Sequence, residues 1–118
     1  MTGIYLDHNA TTRPLPEVLA AMAECPFGNP SSLHGFGQEA KRALDAARAR
    51  VAALLGAEAG EILFTSGGTE SDNHALLGLA SGVPRPAHIA VSAIEHSAIL
   101  DTCRFLEERG WRVSYLPV

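Results

Sequence analysis

Three short apolar runs, at residues 61–65, His88–Ser92 and 111–116, are separated by stretches in which apolar residues recur at helical spacing, and this alternation restricts the fold more than any other feature. Strands spaced by helices of roughly a dozen residues imply βαβ units, a mostly parallel sheet with flanking helices, and right-handed crossovers. The helices can be bounded from the sequence. Residues 38–55 place Ala40, Leu44, Ala47, Val51, Leu54 and Leu55 on one stripe, with Lys41, Arg42, Asp45, Arg48 and Arg50 mostly off it, and Gly56 follows as a stop. Residues 97–109 turn Ile99, Leu100, Cys103 and Leu106 inward before Gly110. A shorter helix over 17–24 ends at Cys25-Pro26, because the residue before proline disfavours the α region. Upstream, Ile4-Tyr5-Leu6 reads as a brief strand entering a polar loop. Residues 27–37 form a loop long enough to carry function, and Gly82, Pro84 and Pro86 interrupt the chain before the second strand.

At 118 residues and 47% hydrophobic, the chain can bury the core of one modest globular domain. Its formal net charge of −4, without basic runs, gives no electrostatic footprint for nucleic acid or for a polybasic membrane anchor. No window approaches a transmembrane length, and residues 1–6 lead directly into Asp7 and His8, unlike an export signal. Two distant cysteines, Cys25 and Cys103, are too few to staple a secreted fold, so a reducing, cytoplasmic setting is expected. The final expected strand would leave a sheet edge and a face uncovered at Val118, so the chain is expected to be part of a larger fold.

The strongest chemical pattern is Phe64-Thr65-Ser66-Gly67-Gly68-Thr69-Glu70-Ser71-Asp72-Asn73, glycines between a strand and a helix. Free N–H groups at the helix start, helped by the Thr69 hydroxyl, suit a phosphate. The alternative is purely structural: Thr69 or Ser66 caps the helix and Asp72 completes an approximate capping box. A P-loop lysine is absent. Gly35-Phe36-Gly37-Gln38-Glu39-Ala40 fits G-x-G-x-x-A, but no strand precedes it, so it is taken as a chance match. The five histidines have no metal-ligand spacing. His96, at a strand-to-helix junction, is either a ligand contact or a solvated loop residue. Cys103 reads as a small buried hydrophobe and Cys25 as a more exposed thiol without activation.

In order along the chain, Tyr5-Leu6-Asp7-His8-Asn9-Ala10-Thr11-Thr12, Phe27-Gly28-Asn29-Pro30-Ser31-Ser32-Leu33-His34, the Phe64–Asn73 turn and Glu95-His96-Ser97-Ala98-Ile99-Leu100 resemble successive motifs of the cysteine desulfurases in the class V aminotransferase group, of the iron–sulfur-cluster-assembly type. The likeness spans all 118 residues but about a third of a full-length member, its N-terminal portion. It implies a fold-type I enzyme that uses pyridoxal 5′-phosphate to convert L-cysteine to L-alanine with persulfide sulfur transfer, typically as a homodimer working with a sulfur-acceptor or scaffold protein. By motif, Gly68 and Thr69 would hold the cofactor phosphate and His96 would stack on its ring. Asn9, Ala10, Thr11 and His34 would lie in substrate and interface loops. Residues 1–37 would then supply the N-terminal strand, short helix and loops, and 38–118 the start of the cofactor-binding large domain. The segment between Met22 and Phe27 is shorter than its family counterpart.

The Schiff-base lysine, the aspartate under the pyridine nitrogen, the substrate-carboxylate arginine and the persulfide cysteine belong to later family segments, so no catalytic residue is expected in this chain. Its only lysine, Lys41, reads as a solvated charge. The expected function is therefore an N-terminal piece of a desulfurase, inactive alone. The alternatives are a non-catalytic cofactor-binding or dimerisation module pairing with a full-length partner, and a generic phosphate-binding module.

Overall fold

A computed structural model describes residues 3–84 and 87–118. Met1, at the start of the segment read as unlike an export signal, and Pro86, in the interruption before the second strand, lie outside the described residues. Contacts gather the chain into two compact units, Met1–Ile62 and Leu63–Val118. These units record packing.

In the first unit, helix α1 spans Pro16–Ala23 and α2 spans Gly35–Leu55, followed by a 3-10 turn at Ala59–Glu61. Pro16 occupies the first turn of α1, where its missing N–H costs nothing. Val18, Leu19 and Met22 remain 46%, 50% and 64% exposed, so the apolar face of α1 is uncovered. The α2 helix starts three residues before the expected Gln38, because His34 caps it: the His34 ring accepts the Gly37 N–H through Nδ1 at 3.3 Å. Its end matches expectation. Gly56 adopts φ 68°, and the Ala57 and Gly56 N–H groups bond back to the Ala52 and Ala53 carbonyls, a Schellman closure.

The expected α2 stripe is only partly covered. Ala40, Leu44 and Val51 are half-buried and Ala52 is buried, whereas Ala47, Leu54 and Leu55 face solvent. The principal partner of α2 is the small 3-10 turn, which cannot shield so long a stripe.

Two expected strands do not form. Residues 4–6 are irregular and exposed, and Tyr5 is used to brace the loop that follows. Residues 61–65 begin inside the 3-10 turn, where the Glu61 carboxylate accepts the Glu58 N–H at 2.8 Å and the two ends cap each other. Ile62 to Thr65 then lack a ladder partner among the described residues, so their β-forming side chains have no neighbour against which to pair.

The second unit carries α3 at Gly68–Gly82, β1 at His88–Ser92, α4 at Ser97–Glu107 and β2 at Arg112–Leu116. β1 and β2 pair in parallel, with His88 opposite Arg112 and Ser92 opposite Leu116. This is the expected β-α-β unit, with α3 packed against α4. The α4 helix stops at Glu107, two residues before Arg109. Gly110, at φ 83°, and the Trp111 N–H bonded to the Leu106 carbonyl make a second Schellman closure. β2 starts at Arg112, one residue after Trp111, which is buried instead.

The core lies almost entirely around α4. Ala98, Thr102, Cys103 and Leu106 are buried on that helix, joined by Trp111, while Ile99 and Leu100 are half-buried. Cys103 is fully enclosed, and its burial pushes the thiol pKa up, so it behaves as the hydrophobe the sequence suggested. Cys25 is exposed.

Gly37 is buried where a Cβ would collide with the Ser32 carbonyl and sit 2.7 Å from the Asn29 carbonyl oxygen. Both obstacles are backbone, so Gly37→Ala is expected to lower stability by about 1–3 kcal/mol. Gly60→Ala, at a position with open space, should change it by less than about 0.5 kcal/mol. Urea unfolding of the two variants measures the difference.

Candidate functional site

The first four amides of a helix have no intrahelical acceptor, and at α3 the sequence leaves them uncapped. The N-cap is Gly67, which has no side chain to accept them, and the first intrahelical bond runs from the Ser71 N–H to the Gly67 carbonyl at 3.1 Å. The Gly68, Thr69 and Glu70 amides therefore precede the ladder. The alternative, a cap by Thr69 or Ser66 boxed with Asp72, is absent. Instead the Glu70 carboxylate turns back and accepts the Ser66 N–H at 2.7 Å and the Ser66 hydroxyl. Thr65 and Ser71 bond through their hydroxyl oxygens at 2.6 Å, closing the turn from its other side.

Nothing touches the space where a Cβ of Gly67 or Gly68 would sit. Open approach, three leading amides, the positive end of a 15-residue helix and the adjacent Thr69 hydroxyl form a donor set that fits a phosphate group. Glu70 already places one negative charge in this first turn, an electrostatic cost that a bound anion must overcome.

His96 is the N-cap of α4, and its Nδ1 accepts the Ala98 N–H at 3.1 Å. A neutral ring in this role carries its proton on Nε2. His96 is thus neither a free loop side chain nor a random surface residue; its ring is held at the helix entrance. Thr69, Asn73 and Leu77 from α3 and Ser97, Asp101 and Phe105 from α4 line a cleft of about 360 Å³. The structure therefore brings Thr69 and the neighbour of His96 to the same cleft.

Asn73 and Thr102 join these helices and were not singled out as linked residues in the sequence. The Asn73 amide donates to the Thr69 carbonyl at 2.8 Å, and its oxygen lies 2.8 Å from the Thr102 hydroxyl. Thr102 is buried, which signals a polar group that needs a partner, but a partner 29 residues distant cannot be read from local spacing.

The other predicted residues lie in the first unit. Asn9 and Ala10 occupy a turn in which the Ala10 and Thr11 N–H groups converge on the Asp7 carbonyl at 3.2 and 3.3 Å. The Tyr5 hydroxyl lies 2.8 Å from the Asp7 carbonyl and 2.9 Å from that of Thr11, so it braces the loop from within. His34 caps α2 and meets Phe36 edge to face, with ring centroids 6.3 Å apart. Lys41 is exposed and pairs with Asp45 at 2.8 Å.

A serine–histidine pair on the sheet is chemically inert as a dyad. His88 Nε2 lies 2.8 Å from Ser114 Oγ, while Arg112 approaches His88 Nδ1 at 3.0 Å. Arginine only donates, so Nδ1 is the acceptor and Nε2 carries the proton. His88 consequently donates to Ser114 and cannot take its proton. Among the described residues, no group of three or more His, Cys, Asp or Glu side chains is placed to hold a metal ion. No helix among them is long and apolar enough to cross a membrane.

Residues 4–118 match the sequence profile of the Aminotransferase class-V family, and the chain belongs to that family. Its fold corresponds to the N-terminal part of the fold-type I arrangement seen in NifS-like cysteine desulfurases. Cysteine desulfurase 2 of Trichormus variabilis is 48% identical over 121 residues, covering 100% of this chain and 30% of that protein. Cysteine desulfurase IscS of Clostridium botulinum strain Kyoto is 50% identical over 119 residues, covering 98% and 30%. The structure of a NifS-like protein superposes with a TM-score of 0.85 at 42% identity, over 93% of this chain and 31% of the other. SspA in complex with cysteine gives 0.86 at 40% identity, over 95% and 33%. The chain thus spans about 30% of the length of the curated relatives it matches.

The two bonds from Ser66, chiefly that from its hydroxyl, hold the Glu70 carboxyl below the usual glutamate range. A carboxyl depressed in the folded state stabilises the fold above its unfolded pKa, and this contribution is lost as pH falls through the folded value. Ser66→Ala is expected to return Glu70 toward the ordinary range and flatten the acid dependence of the turn. Carboxyl-carbon NMR of Glu70 across the acid range reads this directly.

Proposed function

We propose that this chain supplies the cofactor-phosphate cradle and the ring-stacking histidine of a pyridoxal 5′-phosphate-dependent cysteine desulfurase. The observation that carries the reading is the uncapped start of α3, with its open glycines and the Thr69 hydroxyl, beside the His96-capped start of α4. Gly68 and Thr69 would bind the phosphate through backbone N–H groups and the hydroxyl. His96, oriented by Ala98, would present its ring face to the pyridine. When bound, the cofactor supplies the electron sink for cleavage at the substrate's carbon atoms.

The substrate in this reading is L-cysteine, with L-alanine and a persulfide on an enzyme cysteine as products. The solved relative described as SspA in complex with cysteine supports that substrate class. Asn9, Ala10, Thr11 and His34 would belong to the substrate and interface loops, residues 1–37 forming that part and 38–118 the beginning of the cofactor-binding domain. The working enzyme would be a cytoplasmic homodimer delivering sulfur to an acceptor or scaffold protein for iron–sulfur clusters or thiolation. The Schiff-base lysine and persulfide cysteine would come from segments outside these 118 residues. Lys41 is paired with Asp45 at the surface, and Cys103 is sealed in the core.

Removing one hydrogen-bond donor to a charged phosphate costs about 1.5–3 kcal/mol, so Thr69→Val should weaken binding of pyridoxal 5′-phosphate about tenfold or more. Titration by absorbance measures this, and unchanged affinity rejects the cradle. The 118-residue chain supplied with cofactor should form no alanine from cysteine beyond the rate of free cofactor. Stoichiometric alanine and sulfide would overturn the assignment of the catalytic groups to other segments.

A further inference from the structure

The two groups assigned to the cofactor sit at the starts of different helices, and hydrogen bonds linked through the Ala98 backbone connect them. They begin at the Thr69 carbonyl, which accepts from the Asn73 side-chain amide at 2.8 Å. The Asn73 oxygen and the Ala98 carbonyl each lie 2.8 Å from the Thr102 hydroxyl. The Ala98 N–H then donates to His96 Nδ1 at 3.1 Å. Thr69 and His96 are thereby joined through Asn73, Thr102 and Ala98.

The proton inventory fixes the direction of this set. The Thr102 hydroxyl has one proton and faces two acceptors, so it is shared between Asn73 and Ala98. Turning the Asn73 amide around would place its oxygen against the Thr69 carbonyl, two acceptors in contact. The observed orientation is therefore the one that satisfies the site. A threonine in a helix is adequately served by the carbonyl four residues back, here Ala98, so its own needs do not require Asn73. The bond to Asn73 crosses between helices, and Thr102 is only 4% exposed, so water competes poorly for it.

We infer that Asn73 and Thr102 are positioning residues that set the register between the phosphate-binding turn of α3 and the ring-binding entrance of α4. The inference rests on the cofactor reading above. A molecule with a phosphate at one end and a flat ring at the other must meet both places at a fixed separation. The Asn73–Thr102 bond acts on that separation by tying the two helices together. Inorganic phosphate, which meets only the α3 turn, is indifferent to it.

The test compares inorganic phosphate with pyridoxal 5′-phosphate as probes of the 118-residue chain. Thr102→Val keeps the shape and deletes the hydroxyl, and Thr102→Ser restores it. Thr102→Val is expected to weaken pyridoxal 5′-phosphate about fivefold while leaving inorganic phosphate within about twofold, and Thr102→Ser to recover wild-type affinity. In a His96→Ala background the Thr102→Val penalty should vanish, because the ring contact whose register it sets is gone. Equal losses for both probes, or an undiminished penalty in the His96→Ala background, would make Thr102 a general stability residue and overturn the inference.

If the unaltered chain binds neither probe, the cofactor reading itself fails, and the link between helices is judged on the ligand-free protein. There Thr102→Val, but not Thr102→Ser, should speed amide exchange around Asn73 and Leu77 about fivefold. Unchanged exchange would show that the bond does not couple α3 to α4.

Discussion

Burial of one face of α4 is the interaction on which the second unit depends. Ala98, Cys103 and Leu106 are the apolar side chains this helix removes from water, and Trp111 closes the end of the same layer. β1 leads into that helix and β2 leaves it, so the parallel pair is aligned by the element lying between the two strands. α3 owes its placement to the same surface, reinforced by the Asn73 bond to Thr102. Weakening α4 would therefore disturb strand register and the glycine turn together, although neither lies on the helix.

The first unit is organised differently, by local hydrogen bonds rather than by a core. Tyr5 braces the turn at residues 7–11, Asn29 accepts the Ser31 N–H at 2.9 Å, and His34 caps α2. Only Gly37 and Ala52 are buried along the 21 residues of α2. Leu33, Leu54 and Phe27 stand 91%, 84% and 90% exposed. Apolar side chains at such positions contribute little hydrophobic stabilisation within this unit, and its loops keep their shapes chiefly through polar contacts close in sequence.

Helix stops set by a single glycine were legible in the sequence. Gly56 and Gly110 marked helix stops because left-handed backbone is easiest for glycine, and both adopt it. Cys103 announced its burial through the spacing of α4. The failures share a cause: residues 4–6 and 61–65 have β-forming composition, but a strand requires a neighbour, and composition does not supply one. Glu61 was drawn into a 3-10 turn by its bond to the Glu58 backbone instead. At the candidate site, the glycine turn and His96 were visible as motifs, whereas Asn73 and Thr102 acquire their meaning only when two helices meet. The alternative of a Thr69 cap failed because α3 begins at Gly68 with Gly67 as its N-cap, which puts Thr69 inside the first turn.

The ring of His96 has given up much of its rotation before any ligand arrives, because the Ala98 N–H already holds it. A side chain immobilised during folding has less conformational entropy to surrender when a flat molecule settles against it. The expense of ordering the ring is borne by helix formation, where the cap is needed in any case. Under the proposed function, recognition at this position would be governed by the fit between two surfaces, with little loss of freedom on the protein's side.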